Sequence, residues 1–202
     1  MGQPGEDAWV PFCFAGCHST SVSSRRNGQT AFGIRSDDYG GTSHHDSKKM
    51  STYIATIRWQ NTGPDFLNRC YSREHTIHFD GGAVVHGSPS PLIVPAPWSN
   101  ASAIDPEEAF VASVASCHML WFLHVAVDAG FEAASYKDQA VGEMTKNMQG
   151  KQWISRVSLH PDIQWLGEKH PTANQVEHLH RQAHDECFIA NSIKTKITIC
   201  KP

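Results

Sequence analysis

The stretch Asp105-Pro106-Glu107-Glu108-Ala109-Phe110-Val111-Ala112-Ser113-Val114-Ala115-Ser116-Cys117-His118-Met119-Leu120-Trp121-Phe122-Leu123-His124-Val125-Ala126-Val127-Asp128-Ala129-Gly130 decides the fold. Asp is a preferred N-cap, Pro is favoured at the first helical position, and a Glu at the third can close a capping box. Gly130 is a natural residue to follow the helix end. Between these signals the residues are apolar on nearly every face, so the helix must lie centrally. About 24 residues at about 1.5 Å each span roughly 36 Å, long for a domain of this size. Part of the helix is therefore expected to be buried by a second subunit.

Working outward, residues 53–59 are β-rich and end at the turn signal Asn61-Thr62-Gly63-Pro64. Residues 76–79 read as a second strand, closed by Asp80-Gly81-Gly82. Residues 87–106 hold five prolines (Pro89, Pro91, Pro95, Pro97 and Pro106) and are expected to run as an extended loop. Beyond the central helix, residues 133–145 and 153–160 read as strands, residues 172–190 as a second helix and residues 194–199 as a last strand. The order β-β-α-β-β-α-β, with few parallel crossovers, predicts an α+β fold. No internal repeat is visible.

The chain has 202 residues, within the range of one domain and enough for a sizeable core. Hydrophobic residues make up 40% and mean hydropathy is −0.40, which reads as a soluble protein. No unbroken run of about 18 apolar residues occurs, so no membrane span is expected. A net charge of −3 gives no electrostatic reason to expect nucleic acid or an anionic membrane as partner. Residues 1–49 are rich in Gly, Ser, Asp, His and Arg and show neither period; they read as disordered, with the folded domain at 50–202. A second reading stays open, that Met50 is the natural start and the extension a gene-model artefact. Residues 9–15 are too short for a signal core, and Arg25-Arg26 precedes no apolar stretch, so a cytoplasmic setting is expected.

Six cysteines (Cys13, Cys17, Cys70, Cys117, Cys187 and Cys200) are spaced widely and irregularly. In a reducing compartment such cysteines are catalytic or inert more often than structural. Cys117 falls mid-helix, where the helix dipole gives a thiolate little help and an apolar setting raises the thiol pKa. Taken alone it reads as a small buried hydrophobe, and Cys187 is equally ambiguous.

Two motifs shift that balance. The segment Asp105–Leu120 places a cysteine ten residues after the first glutamate of a helix-opening Pro106-Glu107-Glu108, and Ala183-His184-Asp185-Glu186-Cys187-Phe188-Ile189-Ala190-Asn191-Ser192 carries a second cysteine seventy residues after the first. Both resemble the motifs of the OsmC/organic-hydroperoxide-resistance (Ohr) family, over roughly residues 52–202. The resemblance implies antiparallel sheets around two central helices in an intertwined homodimer. It implies a peroxidatic role for Cys117, a resolving role for Cys187, and a dithiol reductant of lipoamide type acting on an enzyme that reduces organic hydroperoxides without cofactor or metal. It also implies an active-site arginine, best matched by Arg73 with Arg69 as rival, and a glutamate, matched by Glu107. Ten residues of helix put Glu107 about 15 Å from Cys117 and on another face, so an Arg73/Glu107 pair is expected to reach Cys117 across a dimer interface.

Bland readings stand beside these. Arg73 and Arg69 can be ordinary solvated charges, and Glu107 a first-turn acid on the helix dipole. Met119, Leu120, Trp121 and Phe122, with Leu92, Ile93, Val94 and Trp98, could line an apolar funnel or simply be core. Two other classes stay open: a non-catalytic binding protein of the same fold, and a metal protein using His178, His180, His184 and Cys187. His118 stands where the better-known relatives carry an aromatic, and Cys70 and Cys200 read as ordinary thiols.

Overall fold

The computed structural model describes residues 51–200. The expectations for residues 1–49 and for a start at Met50, and the cysteines Cys13 and Cys17, fall outside them. Three β-strands, β1 (Ala55–Arg58), β2 (His75–Phe79) and β3 (Val84–Gly87), form an antiparallel sheet in the order β1-β2-β3. The Gly81-Gly82 turn joins β2 to β3, with Gly82 at φ 87°, where a side chain would be strained. The strand β3 was not expected; its four residues are too short to show a period.

The proline loop does not run extended. It folds into successive turns: the Ile93 and Val94 amides donate to the Ser90 carbonyl at 2.9 Å, and the Trp98 amide donates to that of Pro95 at 3.2 Å. Pro91 sits second in the first turn, a position its fixed φ favours. Val94, 4% exposed, anchors the loop inside.

The helix α1 (Pro106–Asp128) has the expected start and end. The Glu108 amide donates to Asp105 Oδ1 at 2.7 Å and the Asp105 amide to Glu108 Oε2 at 3.1 Å, completing the capping box. At the other end Gly130 takes φ 73°, and the Phe131 amide donates back to the Ala126 carbonyl at 2.9 Å. Although α1 is apolar nearly all round, its buried residues are Val114, His118, Phe122 and Ala126, a single ridge of i, i+4 steps. Leu120 and Val127 on other faces are 61% and 70% exposed. An 18-residue window of α1 has mean hydropathy 1.7, so by length and composition this helix is apolar enough to cross a membrane, although no unbroken apolar run of that length occurs in it.

After α1 come β4 (Glu132–Asp138), β5 (Val141–Lys146), β6 (Gln152–Leu159) and β7 (Pro161–Leu166). What reads as one strand over 133–145 is two in different sheets: β4 pairs with β7, while β5 pairs with β6. A corner at Gln139-Ala140 lies against a second corner at His160. The His160 amide donates to Asp138 Oδ1 at 2.7 Å, fixing the two corners together. Pro161, which cannot continue a ladder as donor, opens β7. The helix α2 (Ala173–Glu186) starts in a Thr172/Gln175 capping box and stops at Cys187; α3 (Phe188–Asn191) follows, then β8 (Lys196–Ile199), which lies parallel to β6.

Two apolar clusters hold α1 between the sheets. Val114, with Val157 and Leu159 of β6, packs one end onto β5-β6-β8. Phe122 and Ala126, with Phe131, Leu179 and Ala183, pack the other under α2 and β4-β7. Phe122 is fully enclosed. Phe122→Ala should cost about 3–5 kcal/mol in urea unfolding, with little change in slope; a loss under about 1 kcal/mol would mean that the cluster does not carry α1.

Candidate functional site

Cys117 projects from α1, one position before His118 of the buried ridge, and is half-buried. It lines an apolar groove of about 550 Å³ with Ser113, Ser116, Leu120, Trp121, His124, Phe188 and Ile189. Trp121 is set edge-on to both His124 and Phe188, with ring centroids 5.5 Å apart in each case. Of the residues that could be funnel or core, Leu120 and Trp121 line the groove, whereas Phe122 and Val94 are core. Leu92, Ile93 and Trp98 do not line the groove; Phe188 and Ile189, beyond the second cysteine, do.

Cys187 lies at the break between α2 and α3, extended at φ −68° and ψ 111°. A single helix was expected over 172–190. The Asn191 side chain donates to the Asp185 carbonyl at 2.8 Å, and the Ala190 amide donates to Cys187 Sγ at 3.4 Å, so local caps replace the helical bonds lost at the break. Neither Gly nor Pro marks this place. The break leaves Cys187 1% exposed, with the Cys117 side chain beside it. Burial first, and then Cys117, push the Cys187 thiol up to about 11, so at neutral pH it is a protonated thiol. None of Cys70, Cys117, Cys187 and Cys200 is in a disulfide. Two thiols in contact, one buried and one on a groove wall, can form a disulfide once the outer one is oxidised.

The expected charged residues sit elsewhere in the chain. Arg73, before β2, donates from Nη1 to the Tyr71 carbonyl at 3.0 Å, with its guanidinium 4.1 Å from the Tyr71 ring centre. Tyr71 belongs to an aromatic group with Trp59 and Phe66. Arg69 occupies a turn at φ 65°. Glu107 lines a different groove, of about 770 Å³, with Asp105, Glu108, Val111 and Asp138. Neither Arg73 nor Glu107 lines the Cys117 groove.

Sequence reasoning left His118 without a role. It is 1% exposed and hydrogen-bonded to His180 of α2, Nε2 to Nδ1 at 3.0 Å, the rings nearly parallel at 12°. His180 also lies 4.3 Å, centre to centre, from Phe122. His118 Nδ1 is buried and without a partner. A buried N–H without an acceptor is the costlier vacancy, which favours His118 Nε2–H donating to His180 Nδ1. The metal arrangement is not formed: His180 is turned to His118, and among the described residues no group of three or more His, Cys, Asp or Glu side chains is placed to hold an ion.

Fold and site together define an α+β protein whose main helix carries one cysteine, with a second, buried cysteine at the break between α2 and α3. Residues 99–200 match the family model described as OsmC-like protein. An OsmC-like protein of unknown function from Vibrio cholerae is 43% identical, with TM-score 0.73 over 75% of this chain and 99% of that one. The chain belongs to the OsmC-like family. The organic hydroperoxide resistance protein OsmC of Legionella pneumophila (18% identity, TM-score 0.56, 75% of this chain and 96% of that one) and an organic hydroperoxide resistance protein of Elizabethkingia anophelis (21%, 0.56, 77% and 99%) share the fold. Among curated proteins none matches.

Burial, with His180 and then His184 adding repulsion, holds the His118 imidazole down at about 4; burial does the same for His180. An unfolded histidine takes up its proton near 6.5, but the folded pair resists to about 4. Stability from this pair is thus complete above about pH 6.5 and is lost as pH falls from there toward 4. Unfolding free energy measured from pH 7.5 to 4.5 should drop by a few kcal/mol in the wild type and by clearly less in His118→Phe. Parallel profiles would contradict the assignment.

Proposed function

We propose that this protein is a cysteine-based peroxidase that reduces organic hydroperoxides to alcohols. The contact between Cys117, on the wall of an apolar groove, and the buried Cys187 carries the reading. The Cys117 thiolate attacks the distal peroxide oxygen; the O–O bond breaks, the alkoxide leaves as alcohol after taking a proton, and Cys117 becomes a sulfenic acid. The Cys187 thiol then displaces the hydroxyl, releasing water and closing a Cys117–Cys187 disulfide. An external dithiol, of lipoamide type, reopens it in two exchange steps and is itself oxidised to a cyclic disulfide. The raised pKa of Cys187 suits a resolving thiol, which stays protonated until its partner is oxidised. The apolar lining favours an organic tail over hydrogen peroxide.

The thiolate needs a cation, and in this reading Arg73, held by Glu107, supplies it from a second copy of the chain. Three observations favour a homodimer: α1 buries one ridge although it is apolar nearly all round, the strand β1 is exposed along its whole length, and the Cys117 groove contains neither Arg73 nor Glu107.

Wild type should consume cumene hydroperoxide faster than hydrogen peroxide, Cys117→Ser should consume neither, and Cys187→Ser should give a single burst. A wild type inert with several dithiols, whose Cys117 reacts no faster than a free thiol, would move a non-catalytic binding role to the front. The dimer has its own test. Cys117→Ser and Arg73→Ala, each inactive alone, should regain up to about a quarter of wild-type activity when refolded together, since mixed dimers assemble one intact site. No recovery, with exchange shown by mass, would place Arg73 in the same chain as its cysteine or outside the site.

A further inference from the structure

The buried ridge of α1 is apolar except at His118, which sits beside the thiol. An apolar side chain would fill this position without the cost of burying two imidazoles. Apolar contacts between α1 and α2 are non-directional, and ridges four residues apart can slide past one another. A hydrogen bond between two enclosed side chains permits one register only. Buried polar pairs of this kind are best attested as register devices. Placement fits that use. His118 directly follows Cys117 on α1. His180 precedes Cys187 by seven residues, two turns of α2, and so lies on the same face as the helix end that presents the thiol. The two contacts between α1 and α2, imidazole to imidazole and thiol to thiol, are therefore coupled through both helices.

We propose that the His118–His180 hydrogen bond is a clamp that fixes α1 against α2 in the register at which Cys117 meets Cys187, making both histidines positioning residues for the disulfide step. The clamp rests on the reading of the two cysteines as a redox pair. It acts on the closeness of the thiols, not on peroxide binding, because neither histidine lines the Cys117 groove.

The test is the equilibrium of the Cys117–Cys187 disulfide with reduced and oxidised dithiothreitol, approached from both directions, in full-length protein. Phe at position 118 fills the space without a donor, whereas Gln can place an amide N–H near the position of Nε2. His118→Phe should lower the effective concentration of the two thiols about tenfold, a shift of about 30 mV toward a more oxidising potential. His118→Gln should recover most of it, and His180→Phe should match His118→Phe. The first-step rate, followed by trapping the Cys117 sulfenic acid, should stay within about twofold in all three. Equal potentials in wild type and both Phe variants overturn the clamp while leaving the peroxidase intact. Shifted potentials with Cys117 inert to hydroperoxides leave the clamp standing and remove the proposed activity. Should neither Phe variant fold, the ring ¹⁵N resonances of His118 in the wild type decide: they should report a hydrogen-bonded Nε2 and move when the disulfide closes. No hydrogen bond, or no movement, overturns the proposal.

Discussion

The ridge Val114, His118, Phe122 and Ala126 is the constraint on which the rest of the structure depends. A helix this apolar could roll to present many faces. The ridge meets Val157 and Leu159 at one end and Leu179 and Ala183 at the other, and that selects one. Gly142 adds a steric condition: a Cβ there would come 2.5 Å from Val111 Cγ2, so β5 approaches α1 only because no side chain intervenes. Once α1 is oriented, Cys117 has no freedom. It lies beside the ridge, half-buried, with the break after α2 opposite it.

That break is where local structure becomes chemistry. A continuous helix through residue 187 would carry Cys187 on with the regular turn. Instead the chain goes extended at Cys187 and restarts as α3, with Sγ taking the Ala190 amide. The same turn brings Phe188 against Trp121 and Ile189 into the groove lining. One irregular residue thus sets the buried thiol and part of the apolar wall together, which couples the position of Cys187 to the shape of the groove.

Features written in local residue chemistry were legible from the sequence. The Asp105/Glu108 box and Gly130 after α1 appear where cap preferences put them. Features decided by distant pairing were not. Residues 133–145 have strand composition throughout, and the corner at Gln139-Ala140 follows from Asp138 receiving the His160 amide, a contact no local pattern announces. The break at Cys187 lacks Gly or Pro and is stabilised by Asn191, four residues on. For the site, Cys117 and Cys187 are ambiguous singly and become a pair only through the family motifs. Arg73 and Glu107 rest on the motif alone, because within one chain they lie on other surfaces. His118 carried one faint signal, a polar residue at an i+4 position of an otherwise apolar ridge.

In the proposed reaction Cys117 and Cys187 form a peroxide-driven redox pair. The most direct measurement is peptide mapping of the reduced protein after one equivalent of an organic hydroperoxide, with free thiols blocked before digestion. One dominant cross-linked peptide joining Cys117 to Cys187 is expected, with Cys70 and Cys200 alkylated. Cys117 recovered alkylated, or linked mainly to another cysteine, would contradict it.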